Sequence, residues 1–134
     1  MASGLFGISG DHLEKYQSLD ERLIRDRAAT FFFEASGEAM SPLIMEKDIL
    51  IVDRSTQPIS GCIVIVQIEG ELLCRRLHIT DHEVGLHAEN PQHAPLVLRD
   101  GQDLQVFGVV TSVVRDILSR ATQVLGPKRR DGFR

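Results

Sequence analysis

The sequence predicts a mostly-β fold, a compact multi-stranded domain with one short N-terminal helix, and three observations carry that prediction. The apolar runs are short, β-branched and aromatic, as at residues 49–53 and 62–68. Turn signals follow one another closely, with few residues between one run and the next. No series of helical segments alternates with the strands, as a doubly wound sheet would require.

Residues 1–17 hold three glycines and little periodicity and read as a flexible N-terminal arm. Ser18-Leu19-Asp20-Glu21 has the form of a capping box, and Leu19, Leu23 and Ile24 make one apolar stripe. A helix over 18–26 lying across the sheet follows. Strands are expected at 30–35, 49–53 and 62–68, and Glu69-Gly70 closes a hairpin to a strand at 72–78. Further strands are expected at 83–88, 95–98 and 104–115. Within the last, Val106 to Val114 is apolar at nearly every position, which implies burial on both faces, part of it supplied by a second subunit. Residues 18–117 therefore form one domain, and 118–134 read as a flexible basic tail ending Lys128-Arg129-Arg130-Asp131-Gly132-Phe133-Arg134. No internal repeat or second domain is visible.

A chain of 134 residues with 43% hydrophobic content can bury one core. Its net charge of -4 and pI near 5.7 argue against general attraction to nucleic acid or anionic membrane. DNA is expected to be met only through a partner. The N-terminal residues have neither the charge nor the apolar run of a secretory signal, and no stretch reaches the length of a membrane span. A soluble, cytoplasmic protein is expected. The hairpin register sets Cys62 opposite Leu77 and Cys74 opposite Ile65, too far apart for a disulfide, so both read as free thiols. No cofactor is implied.

The segment Ser36-Gly37-Glu38-Ala39-Met40 resembles the Ser-Gly-x-Ser-Met nucleophile turn of the LexA/UmuD superfamily of self-cleaving serine-lysine proteins, with alanine in the nucleophile's position. The likeness continues in order: Asp48 to Asp53, Gly61-Cys62-Ile63-Val64, Asn90 with Pro95, and Val106-Phe107-Gly108-Val109-Val110 resemble the family's later strands and loop. In the strand Glu71-Leu72-Leu73-Cys74-Arg75-Arg76-Leu77, the position of the family's lysine base is held by Arg75. Roughly residues 4–117 are covered, and a LexA/UmuD-like peptidase fold is the fold this implies. Too few residues precede the strands for the helix-turn-helix of a LexA-type repressor, which places the resemblance in the UmuD branch. Gly4 falls at the glycine that follows the family's scissile bond, so Ser3 and Gly4 are cleavage-site-like and the chain begins near the start of mature UmuD′.

A serine hydroxyl becomes a nucleophile only when a nearby base takes its proton, and lysine can be that base once desolvation lowers its pKa. Alanine has nothing to deprotonate, and a guanidinium keeps its proton. Ala39 and Arg75 are accordingly degenerate nucleophile and base positions, with Gly37, Glu38 and Met40 forming the turn and the substrate-binding groove. The remaining lysines, Lys15, Lys47 and Lys128, lie in the arm, a turn and the tail. Arg75 is expected either to pair with a carboxylate, Glu38 being the nearest candidate, or to point out of the groove.

The resemblance implies a catalytically inactive, UmuD′-like accessory subunit. It would form a homodimer and bind a Y-family, UmuC-like translesion DNA polymerase and the RecA filament in the SOS response to DNA damage. Two alternatives share the fold: a self-cleaving UmuD-like peptidase in a disabled or shortened form, and a decoy that forms heterodimers with an intact UmuD-like or LexA-like protein.

Other features read as structural. His78 and His82 share a four-residue interval that converges only on a helix, so the five histidines, His12, His78, His82, His87 and His93, are surface or loop residues and no metal site is expected. Phe31-Phe32-Phe33, in a strand, places two rings in the core and one beneath the helix or at an interface rather than forming a base-stacking platform.

Overall fold

The computed structural model describes residues 18–99 and 104–118. Ser18 caps the helix α1 (Leu19–Leu23), its hydroxyl accepting from the amides of Asp20 at 3.0 Å and Glu21 at 3.4 Å. A 3-10 turn over Arg27–Ala29 follows, capped by Asp26. Seven strands come next: β1 (Thr30–Glu34), β2 (Ile49–Asp53), β3 (Ile63–Ile68), β4 (Glu71–Ile79), β5 (Val84–His87), β6 (Leu96–Leu98) and β7 (Gln105–Val114). They form one antiparallel sheet in the order β1-β2-β7-β3-β4-β5-β6. The last strand in sequence thus fills the centre, between β2 and β3.

Glu69 and Gly70, with φ of 51° and 83°, make the tight hairpin between β3 and β4, a turn whose two central residues must both be left-handed. Its register pairs Ile65 with Cys74 and continues to a Leu77 amide that donates to the Cys62 carbonyl at 2.8 Å. Both cysteines are free.

Side chains on β3 alternate between two apolar clusters, so the sheet is buried on both faces at its centre. Ile65 joins Met40, Ile44, Leu50 and Val52 on one face. Val64 and Val66 join Leu77, Leu86 and Val109 on the other. Leu86 and the half-buried Leu98 bring β5 and β6 into this second cluster.

Three packing expectations need correction. The helix ends at Leu23, five residues long, and buries none of its side chains; Leu19 is 61% exposed, so α1 does not cover the sheet. The aromatic triplet lies on the edge strand β1, where Phe33 packs on the first cluster, Phe31 is 41% exposed and Phe32 is 60% exposed. An edge strand has one neighbour only, and neither α1 nor another strand covers Phe32. Phe31 and Phe33 each meet Phe107 edge to face, with ring centroids 5.3 Å apart. β7 does serve both clusters, through Phe107 and Val110 on one and Val106 and Val109 on the other, yet only Gly108 and Val109 are fully buried and Val113 is exposed.

Candidate functional site

β1 hands the chain to a turn that is held at its back, its front and its floor. At the back, the Ala35 amide donates to the Asp48 carbonyl at 2.8 Å and the Lys47 amide to the Ala35 carbonyl at 2.7 Å. Gly37 then takes φ +82°, a conformation that glycine adopts without steric cost. The Ser41 amide closes the turn on the Glu38 carbonyl at 3.1 Å, and Met40 and Ile44 sink into the first apolar cluster to anchor it.

Two polar side chains fix this turn from opposite sides. Asp48 is fully buried; its carboxylate accepts the Met45 amide at 2.8 Å and both Nε and Nη2 of Arg115, at 2.8 and 2.7 Å. That bidentate pair ties the turn to the end of β7 and holds the Arg115 guanidinium above its ordinary pKa. From the other side, Asn90 donates its amide N–H to the Ala39 carbonyl at 3.0 Å and its side-chain Nδ2 to the Glu38 carbonyl at 3.1 Å.

Facing the turn, β4 supplies Glu71 to Arg75, and the space between is a groove of about 320 Å³. Ala39 and Arg75 both line it, with Gly37, Glu38 and Met40, so all five turn and strand positions expected at one site are brought together. An adjoining space of about 150 Å³ extends the groove past Phe33, Leu50 and Ile65. Lys47 is the one lysine among the described residues and does not line it. Ser3, Gly4, Lys15 and Lys128 lie outside the described residues.

Arg75 behaves differently from either expectation. It makes no ion pair with Glu38 or with any other carboxylate among the described residues, and it does not leave the groove wall. Its Nη1 turns back to donate to the carbonyl of Cys74 at 2.8 Å, and its Nε is buried without a hydrogen-bond partner. Glu38 is exposed and unpaired with Arg75, whereas the carboxylate pairing falls to the next residue, where Arg76 Nε meets Glu89 at 2.7 Å. This hydrogen bond holds Glu89 below the ordinary carboxylate value and Arg76 above its own. Burial pushes the Cys74 thiol up to about 11, against the opposing pull of the Arg75 charge.

Asp48, Arg115 and Asn90 were not legible as supports of the turn. The available signals were an acidic residue heading an apolar strand, at Asp48-Ile49-Leu50, and the likeness of the loop at Asn90 to the family's. Nor was the groove's far wall, Glu71 to Cys74 with His93, although the hairpin register placed it beside Arg75. His78 does not meet His82; it meets His87 across β4 and β5, with ring centroids 5.1 Å apart. Among the described residues no group of three or more histidine, cysteine or acidic side chains is placed to hold a metal ion. No helix among them is long and apolar enough to cross a membrane.

A family model described as Peptidase S24-like matches residues 1–111. Protein SamA of Salmonella typhimurium is 34% identical over 113 residues, which cover 84% of this chain and 78% of SamA. Protein ImpA of Escherichia coli is 35% identical over 106 residues, 78% of this chain and 71% of ImpA. The LexA repressor of Shewanella piezotolerans is 29% identical over 118 residues, 87% of this chain but only 57% of the repressor's own length.

Proposed function

This chain belongs to the Peptidase S24-like family, in the LexA/UmuD superfamily, and from that premise we propose that it is a UmuD′-like accessory subunit of an error-prone translesion DNA polymerase in the SOS response. One observation supports the absence of peptidase chemistry above all others. The groove has a methyl group at the nucleophile's position and a guanidinium at the base's position. The methyl cannot attack a carbonyl, and the guanidinium already carries its proton and has no lone pair with which to take another. Mechanism on this reading is binding alone.

The partners come from the family resemblance: a second copy of this chain, a UmuC-like Y-family polymerase and the RecA filament, in the cytoplasm, with DNA reached through them. The support around Ala39 fits such a role, because a turn held by Asp48, Arg115 and Asn90 presents one fixed surface whether or not it carries a nucleophile.

The test is to mix the purified protein with its cognate UmuC-like polymerase and weigh the products by size-exclusion chromatography with light scattering. A stable complex of two copies with one polymerase is the expected result. No complex, together with ready exchange into an intact UmuD-like or LexA-like dimer, would reassign the chain as a decoy.

A further inference from the structure

The hairpin of β4 and β5 carries a pair of histidines that neither the core nor the groove uses. Its register sets Arg76 opposite His87, Leu77 opposite Leu86 and His78 opposite Gly85. Leu77 and Leu86 are buried in the second apolar cluster, so the alternation of a strand turns Arg76, His78, Gly85 and His87 to the other face. There His78 is exposed and His87 half-buried, and their ring centroids lie 5.1 Å apart with an interplanar angle of 53°. The two are diagonal neighbours rather than direct partners, and Gly85 is what lets them meet. A Cβ on Gly85 would stand 3.0 Å from His87 Nε2 and 3.3 Å from its Cδ2, so the His87 imidazole leans along its strand into room that a side chain would contest, beside His78.

Among the described residues, neither imidazole makes a hydrogen bond or an ion pair, so all four ring nitrogens are available. A tetrahedral zinc ion with Zn–N bonds of about 2.0–2.1 Å carries two imidazoles with centroids roughly 5 Å apart, which is the separation of this pair. The neighbouring cation, Arg76, has its charge matched by Glu89 at 2.7 Å and sends Nη1 to the Gly61 carbonyl, so it is not aimed against a metal ion. We infer that His78 and His87 form a two-histidine site for a borderline divalent transition-metal ion of the zinc, copper or nickel type, with water completing its coordination. Imidazole nitrogens disfavour magnesium and calcium, which take oxygen ligands. With two protein ligands the site is open and exchangeable, unlike a closed structural centre. None of its residues lines the groove, so it stands apart from whatever the groove does. A shared ion would pin β5, only four residues long, to β4 by its side chains as well as by its ladder.

NMR titration of the metal-free, 15N-labelled full chain with zinc chloride tests this, because long-range 1H–15N spectra report the imidazole nitrogens of each histidine separately. The expected result is saturable binding that moves the ring nitrogens of His78 and His87 together, with the amide of Gly85, and leaves the rings of His82 and His93 in place. His78→Ala and His87→Ala should each weaken binding by about tenfold or more, since loss of a ligand costs at least what loss of an outer-shell partner does. Unchanged amide resonances along β2 and β7 show that each variant is folded. Magnesium chloride should move neither ring. Unmoved rings at His78 and His87, shifts centred on other histidines or on the cysteines, undiminished binding by either folded variant, or the same shifts with magnesium would overturn the inference.

Discussion

At the scale of single residues, Cys74 and Arg75 show how neighbours on one strand receive opposite treatment. Burial pushes the Cys74 thiol up to about 11, and the adjacent guanidinium offsets only part of that. Since the thiolate is the reactive form, at pH 8 about one part in a thousand of Cys74 is nucleophilic. Iodoacetamide applied to the native protein at pH 8, followed by peptide mass mapping, should therefore leave Cys74 unmodified over a time that labels it fully in urea. Equal labelling in both states would contradict its burial against the Met40 cluster. Ala39 and Arg75 were legible in the sequence because a motif fixes residue identity at a spacing. The partner of Arg75 was not legible, because a side chain of several rotatable bonds chooses its acceptor from whatever the fold brings near, here the carbonyl of its own neighbour.

At the scale of elements, β7 explains how one sheet serves two cores. Opposite β2 the register skips Thr111, and opposite β3 it skips Phe107, so the strand is bulged on each side. Gly108 sits between these irregularities and permits the close approach. A methyl group there would stand 2.7 Å from Val52 Cγ1 and 3.3 Å from both Arg54 Cγ and the Asp53 carbonyl. Val52 is wholly buried and has no room to yield. Gly108→Ala should cost about 1–3 kcal/mol by overpacking, read as a lowered urea midpoint with an unchanged slope; an unaltered midpoint would show that β2 and β7 slide apart freely. The strands themselves were legible, since alternation, β-branching and the Glu69-Gly70 turn are local signals and their boundaries fall within about two residues of the observed ones. The insertion of β7 between β2 and β3 was not, because partner choice between apolar strands depends on non-local packing. The same limit misplaced α1 and Phe32, whose stripe and aromatic character describe what could be buried rather than what is.

For the whole molecule, stability against acid gathers at carboxylates that the fold uses as acceptors. Asp53, buried at the end of β2, accepts the Ser55 hydroxyl at 2.6 Å, the Ser55 amide at 2.8 Å and the Thr56 hydroxyl at 2.9 Å. Those bonds, the Ser55 hydroxyl's foremost, hold its pKa below the ordinary value against the opposing effect of burial. Glu89 is lowered as well, chiefly by its hydrogen bond from Arg76, but that pair is partly open to water and counts for less. A carboxyl whose folded pKa lies below its unfolded one contributes stability that is complete above the unfolded pKa and disappears as pH falls through the folded one. The molecule should therefore hold a level unfolding free energy from pH 7 to pH 5 and lose it progressively below the ordinary carboxylate range. Asp53→Asn removes the charge that Ser55 and Thr56 serve, so this variant should be less stable at pH 7 and should lose less on acidification, its curve converging on that of the unsubstituted protein as pH falls through the lowered pKa of Asp53. Urea unfolding of both proteins at each pH makes the comparison. Parallel curves would mean that Asp53 holds its turn by shape alone, and that the acid sensitivity of the sheet arises elsewhere.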